Sequence, residues 1–432
     1  MRIIRKILTS LLAGTLLAGC AQKNIEVQVP NEEAVANYAT TLFDTTFVHE
    51  INVELPPESF RSLLNNPEEK EKFHADVTID GETIQDVAFS TKGNTSLRYV
   101  ASEEGNNRYS FKINFGKYVK GQTYHGLDKL HLNNSFIDPT FSKDYLSYYI
   151  FRSVHVDAPL TTFVNLTIND EPFGLYTAIE NVGESFLNRT GKAPGRLYKP
   201  EESRFQEESD TGGADLVYID DNPETYPEIF DEAETDYTES DARNLLLALK
   251  NMNQETNLEQ FLNTDEIIRY FAAHIFLVDN DGYTEKMFHN YFLYEKDGKL
   301  EMLPWDYNSA FAGYGDEISA REGVMDYERF ENFDVHEPIQ NDNDYGDRPM
   351  FRWIINNSEY TEQYHRVFKE MIDENFDTGE FVNEANRIRE MIRPYVKETK
   401  NAFYPVEEFD EAFDEMLEFA DKRAESVKKQ IL

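Results

Sequence analysis

Residues 47–432 read as an α+β protein of two lobes, a strand-rich first part and a mainly helical second part with a cleft between them. Three observations predict this. Short alternating apolar runs bounded by turn residues fill positions 47–180. Apolar residues at three- and four-residue spacing dominate from 242 to the end. Between them, positions 201–241 hold 16 acidic residues against one basic residue, Arg204, which marks a solvated, partly irregular insert. Among 432 residues, 40% are hydrophobic and 13% aromatic, enough to bury a large core despite 81 acidic against 42 basic side chains. A formal charge of −39 argues against a nucleic-acid partner, because phosphate would be repelled over most of the surface. No run of 18 apolar residues is present, so no spanning helix is expected, and one cysteine excludes an internal disulfide framework.

The elements follow in order. A short cationic segment, Met1-Arg2-Ile3-Ile4-Arg5-Lys6, leads into an apolar run over 7–19 and then Cys20. That is the pattern of a secretory signal, too short to cross a bilayer. Leu17-Ala18-Gly19-Cys20 resembles the lipobox of bacterial lipoproteins. The resemblance implies removal of 1–19, diacylation of Cys20 and work at the extracytoplasmic face of a membrane. An ordinary cleaved signal with a stray cysteine is the alternative. Positions 20–46 are polar and aperiodic, and read as a lipid-anchored tether. Alternation then predicts strands over 50–55, 75–79, 84–90 and 109–115, with Asp80-Gly81 as a hairpin turn. Asp138-Pro139 reads as an N-cap and first helical residue, before a helix with Leu146, Tyr149, Ile150 and Val154 on one face. Strands over 161–168 and 174–179 flank the turn Asn169-Asp170-Glu171-Pro172. Beyond the acidic insert the pattern is helical, apart from a strand pair over 291–303. The last helix carries Phe409, Phe413, Met416, Leu417, Ala420 and Val427 at helical spacing.

Several polar groups fall where a cleft would lie. In Tyr109-Ser110-Phe111-Lys112-Ile113-Asn114-Phe115, Lys112 points away from the apolar face, between Ser110 and Asn114. A lysine so placed can clamp a phosphate, although a solvent-facing lysine is the commoner case. The turn Ser90-Thr91-Lys92-Gly93-Asn94-Thr95-Ser96 can offer backbone N–H groups to an anion. Apolar residues run directly into Asp279 and Asp281, and Asp306 follows Leu303-Pro304-Trp305. Carboxylates delivered by buried elements suit an oxygen-loving cation such as Mg²⁺, while N-caps and Asx-turns are the structural alternative. Asp279 onward lacks the Gly and Glu positions of an EF-hand calcium loop.

In order and approximate spacing, several segments resemble the CotH kinase family. They are Lys92-Gly93-Asn94-Thr95-Ser96, Ser110-Phe111-Lys112-Ile113, Gly174-Leu175-Tyr176-Thr177-Ala178-Ile179-Glu180, Leu197-Tyr198-Lys199, His289-Asn290-Tyr291-Phe292-Leu293-Tyr294 and Pro304-Trp305-Asp306. The resemblance runs from about Phe47 to the final helix. It implies an atypical protein-kinase-like fold that binds ATP and Mg²⁺ and phosphorylates Ser or Thr of a protein substrate. Under it, Lys92, Gly93, Asn94 and Thr95 belong to the phosphate-covering turn, with Lys92 where the family usually has Arg. Lys112 clamps the α- and β-phosphates, with Asp144 as its best-placed helix partner. Glu180 lies in the hinge beside adenine, Asp281 is the catalytic acid position, and Asn290 and Asp306 are the metal ligands. Rival readings are a non-catalytic surface, coat-assembly or adhesion module on the same fold, and a metal-dependent glycosyltransferase using Asp279-Asn280-Asp281. The charge excess suits a basic or Ser-rich protein partner.

Overall fold

A computed structural model describes residues 37–103, 105–201, 212–284, 288–313, 327–338 and 348–432. The expected signal segment and Cys20 lie outside the described residues.

Seven strands close into a barrel in the order β1-β2-β3-β4-β5-β7-β6. They are β1 (His49–Glu54), β2 (Phe73–Ile79), β3 (Glu82–Lys92), β4 (Ser110–Asn114), β5 (Lys129–Asn133), β6 (Thr161–Ile168) and β7 (Glu171–Glu180). Neighbours are antiparallel except at the closure, where β1 runs parallel to β6 with Ile51 opposite Leu166. Tight turns fix the registers. Asp80 and Gly81, at φ 48° and 89°, join Ile79 to Glu82, as the Asp-Gly signal predicts. Asn169 and Asp170 turn alone, at φ 48° and 63°, so Glu171 and Pro172 already belong to β7. Val53, Val77, Phe89, Phe111, Ile113, Leu132, Leu166 and Tyr176 fill the barrel and are inaccessible to solvent. Each contributes roughly 1.5–3 kcal/mol of hydrophobic stabilisation, and closure leaves no strand edge to pair with another chain.

A second core lies outside the barrel. Phe163 of β6 and Leu175 and Ile179 of β7 point away from the barrel interior into a cluster built with the helices. β7 is therefore apolar on both faces, as is β6 around Phe163 and Val164. This cluster takes in helices Lys143–Ser153, Glu239–Asn253, Thr264–Leu277, Ser358–Asn375, Glu380–Glu398 and Val406–Gln430. It also covers a three-stranded sheet, β8 (Arg196–Tyr198), β9 (Tyr291–Lys296) and β10 (Lys299–Pro304), in the order β10-β9-β8. The architecture is mixed α+β.

Three expectations change. The tether does not run to 46, because Tyr38 and Leu42 are fully buried and Phe43 nearly so, anchoring 37–46 to the barrel. The acidic segment is solvated over stretches such as 219–222 and 236–240 but is anchored between them. Leu216, Tyr226, Ile229 and Phe230 are core residues, and the charge count concealed these anchors. Asp138 is not the N-cap of the next helix, which begins at Lys143. Its carboxylate accepts from the Thr140 N–H and hydroxyl and, through Oδ2, from the Lys143 N–H at 2.9 Å, spanning the turn that leads in.

Candidate functional site

The outer face of β3, β4 and β5 is polar. Register pairs Ser90 with Lys112 and Lys92 with Ser110, and Lys112 in turn with His131. Asn114 pairs with Lys129, so Lys92, Lys112, Lys129, His131 and Asn133 share one face while Phe89, Phe111, Ile113, Leu130 and Leu132 point inward. The stretch Lys129-Leu130-His131-Leu132-Asn133 was not among the expected strands, although its strict alternation is the signal that could have found it.

Facing this sheet is the segment that leaves β10. The ring of Trp305 meets His131 edge-on at 5.0 Å. The Asp306 N–H donates to the Tyr148 hydroxyl at 3.0 Å and the Tyr307 N–H to Asp144 Oδ1 at 2.9 Å. Helix Lys143–Ser153 thereby fixes where Asp306 stands. Asp306 takes a positive φ of 57°, a conformation that a short polar side chain tolerates best.

Lys92 ends β3 and donates to Asn133, which in turn donates to Asp144 Oδ2 at 3.1 Å. Burial pulls the Lys92 ammonium below its ordinary range, and the charges of Asp306 and then Asp144 oppose that. The helix carboxylate is thus the partner of Lys92, not of Lys112. Asp144 is itself pushed up to about 7, first by burial and then by Asp306.

Lys112 makes no ion pair or hydrogen bond among the described residues. Burial lowers its pKa to about 8, and Lys129 and Lys92 push the same way. Lys199 and Lys70 also act on Lys92. In a chain of charge −39, five lysines converge on one place. Lys70 reaches Asn94 Oδ1 at 2.8 Å, which ties the turn to them. In that turn Gly93 has φ 101°, and Thr95 begins helix Thr95–Ser102. A Cβ at Gly93 would stand 2.9 Å from the Ser96 hydroxyl.

The carboxylates come from the end of helix Thr264–Leu277. Asp279 is buried, and neither of its oxygens has a hydrogen-bond partner of good geometry among the described residues. The same holds for Asp306 Oδ1. Burial holds Asp279 well above the usual carboxylate range, reinforced by the charges of Asp281 and Asp306. Asp281 is oriented by two neighbours. His289 Nε2 lies 2.8 Å from its Oδ1, and the Asn290 amide donates to its Oδ2 at 3.1 Å and its carbonyl at 2.6 Å. With 27% of its side chain exposed, the Asp281 carboxylate remains reachable. The Asn290 nitrogen is committed to Asp281, so Asn290 can offer a cation only its carbonyl oxygen. Orphaned oxygens on Asp279 and Asp306 fit a hard cation, although no three His, Cys, Asp or Glu groups are gathered to hold one among the described residues. Mg²⁺ needs only one or two protein carboxylates when phosphate and water complete its shell.

Glu180 is apart from this constellation. It is fully buried, with Arg189 at 2.7 Å, the Leu160 N–H at 3.0 Å and the Tyr38 hydroxyl on its carboxylate. Its backbone N–H is spent on Leu160 O at 2.9 Å. That carboxylate holds the protein together and offers nothing to a base.

The fold and site define a class: a closed seven-stranded barrel whose outer face of lysines stands beside the carboxylates of Asp144 and Asp306. The chain belongs to the CotH kinase protein family, whose model matches residues 89–427. Inner spore coat protein H of Bacillus subtilis (strain 168) is 22% identical over 329 residues, covering 74% of this chain and 83% of that protein. The crystal structure of the Helicobacter pylori proinflammatory kinase CtkA overlaps 79% of this chain and 92% of that one, at 11% identity and a TM-score of 0.30. Among the described residues, no helix is long and apolar enough to cross a membrane.

Proposed function

We propose that the chain is a protein kinase of two lobes that transfers the γ-phosphate of ATP to Ser or Thr of a protein, with Mg²⁺. The carrying observation is the unpaired, half-buried Lys112 beside Lys92, whose ammonium feels the charge of Asp306, together with the orphaned oxygens of Asp279 and Asp306. An apolar or merely structural site would not leave a half-buried lysine and buried carboxyl oxygens without partners. Lys92, held by Asp144 and Asn133, and Lys112 bind the phosphates, and the Lys92–Thr95 turn covers them. Asp306, Asp279 and the carbonyl of Asn290 would hold the cation, which would supply positive charge against the charge that develops on the phosphate. Asp281, fixed by His289 and Asn290, orients the acceptor hydroxyl and takes its proton as the oxygen attacks. The excess negative charge favours a basic or Ser-rich substrate.

Lys112 gives this reading a pH signature. A lysine with a pKa near 8 is mostly charged at pH 7 and neutral at pH 9.5. Affinity for ATP should therefore fall as pH rises through about 8, and binding should take up protons there. Lys112→Met should lose the pH step along with roughly tenfold in affinity. Because the buried ammonium is a cost to the empty protein, that variant should also be more stable at pH 7 by roughly 1–3 kcal/mol. The gain should shrink between pH 8 and 10.5, where the wild-type lysine discharges on folding. Calorimetric titration and urea unfolding of both proteins across this range check all three.

The relative's name places that protein in a spore coat, and a surface or coat location is the reading carried over to this chain. Anchoring through an acylated Cys20 agrees with it. Cys20→Ser should move the protein from the membrane to the soluble fraction, or leave it unprocessed. An unchanged fractionation and N-terminal mass would end that reading.

A further inference from the structure

Far from the lysines in sequence, two imidazoles face each other. His336 follows helix Tyr327–Glu331, His365 sits on helix Ser358–Asn375, and their Nε2 atoms are 2.8 Å apart. Asp334 Oδ1 lies 3.3 Å behind His336, at Nδ1, and accepts the His336 backbone N–H at 2.8 Å. The segment carrying this pair is pinned on both sides. Tyr364 donates to Val335 O at 2.9 Å, and Gln430 Oε1 accepts the Val335 N–H at 2.8 Å. A carboxylate at Nδ1 keeps the proton on that nitrogen and turns the Nε2 lone pair outward, the arrangement that orients histidine ligands in metal sites. Glu362 stands one turn before His365 on the same helix, exposed, and its charge acts on that imidazole.

We infer that His336, His365 and Glu362 form a Zn²⁺ site that fastens the segment around Val335 to helix Ser358–Asn375. Imidazole nitrogens suit this borderline cation, with Zn–N bonds of about 2.0–2.1 Å. Two nitrogens on a tetrahedral ion stand about 3.3 Å apart, so the pair must open by only about half an ångström. Binding replaces the proton shared between the two Nε2 atoms. The third ligand is not yet in place, since no three such groups are gathered among the described residues. Glu362 must swing inward, with water completing the shell. That makes the site weaker than a preformed four-ligand one, with a Kd on the order of 10 μM.

The test is calorimetric titration of the full chain with Zn²⁺ after chelator treatment, beside His336→Gln, His365→Gln and Glu362→Gln. Glutamine keeps a hydrogen bond to the remaining imidazole, and His336 is 31% exposed, so folding should survive. Wild type should bind one equivalent that both histidine variants lack and that Glu362→Gln binds about 5–10-fold more weakly. At a hundredfold excess over Kd, zinc should raise the wild-type Tm by about 2–4 °C and leave the histidine variants unmoved. Two results would overturn the inference: no zinc uptake by the wild type, or the same number of equivalents in the histidine variants. The second would arise if the ion sits at Asp279 and Asp306 instead.

Discussion

Asp281→Asn should lower phosphate transfer by ~10²-fold or more while leaving nucleotide affinity within about twofold of the wild type. The change keeps the size of the side chain and removes its charge. The asymmetry follows from position. Asp281 hangs from His289 and Asn290 with part of its carboxylate open, whereas the proposed phosphate-binding role falls to Lys92 and Lys112 on β3 and β4. A hundredfold loss corresponds to about 2.7 kcal/mol of transition-state stabilisation. His289 supplies a second readout. Although burial lowers its pKa, the bond to Asp281 and that residue's charge outweigh it and raise it overall. In Asp281→Asn the imidazole should therefore titrate at lower pH, which NMR can follow without any enzymatic activity. Transfer and binding falling together would place Asp281 in nucleotide binding rather than in acceptor positioning.

Lys92→Met should have the other large effect, and it reaches stability as well as function. Without the ammonium, Asp144 and Asp306 lose the cation whose charge acts on both, and buried polar groups left without compensation cost about 1–3 kcal/mol, partly offset because the burial penalty of the lysine goes with it. The cost should depend on pH with a definite sign. Asp144 already has a folded pKa near 7, above its unfolded value, and loss of Lys92 raises it further. A carboxyl raised in the folded state favours folding at low pH and loses that advantage as pH climbs toward its folded pKa. The deficit of Lys92→Met should thus be smallest near pH 5 and grow through pH 8. Adding Asp144→Asn should recover part of it, with a coupling of roughly 0.5–3 kcal/mol in a double-mutant cycle from urea unfolding. Nucleotide binding should be lost in both single variants and should not return in the double one. Additive stability effects would mean that Lys92 and Asp144 do not act as a pair.

Much of the local structure was legible in the sequence. Asp80-Gly81 carried its hairpin, the 161–168 strand was placed to the residue, and the last helix presents the face its spacing predicted. Closure of the barrel was not legible, because the β1–β6 pairing joins segments over a hundred residues apart and leaves no local pattern. The acidic stretch misled for a different reason. A charge count averages over four buried apolar anchors, each of which decides packing by itself. In the site, the strand parity of Lys112 and the apolar approach to Asp279 and Asp306 could be read directly. The partnership of Lys92 with Asp144 could not, since it depends on how helix Lys143–Ser153 lies against the end of β3. Glu180 marks the limit of motif reasoning. Its place in the chain suggests a hinge in which backbone groups matter more than the carboxylate, and gives no sign that Arg189 and Tyr38 hold that carboxylate in the interior.

The most direct test of the central claim is calorimetric titration of ATP into the purified chain from Ala21 onward, with and without Mg²⁺, beside Asp306→Ala. Lysines facing carboxylates without partners predict saturable, Mg²⁺-dependent binding in the wild type and its loss in Asp306→Ala, with both proteins folded by circular dichroism. Absence of ATP binding by the folded wild type, or equal Mg·ATP affinity in the two proteins, would contradict the account.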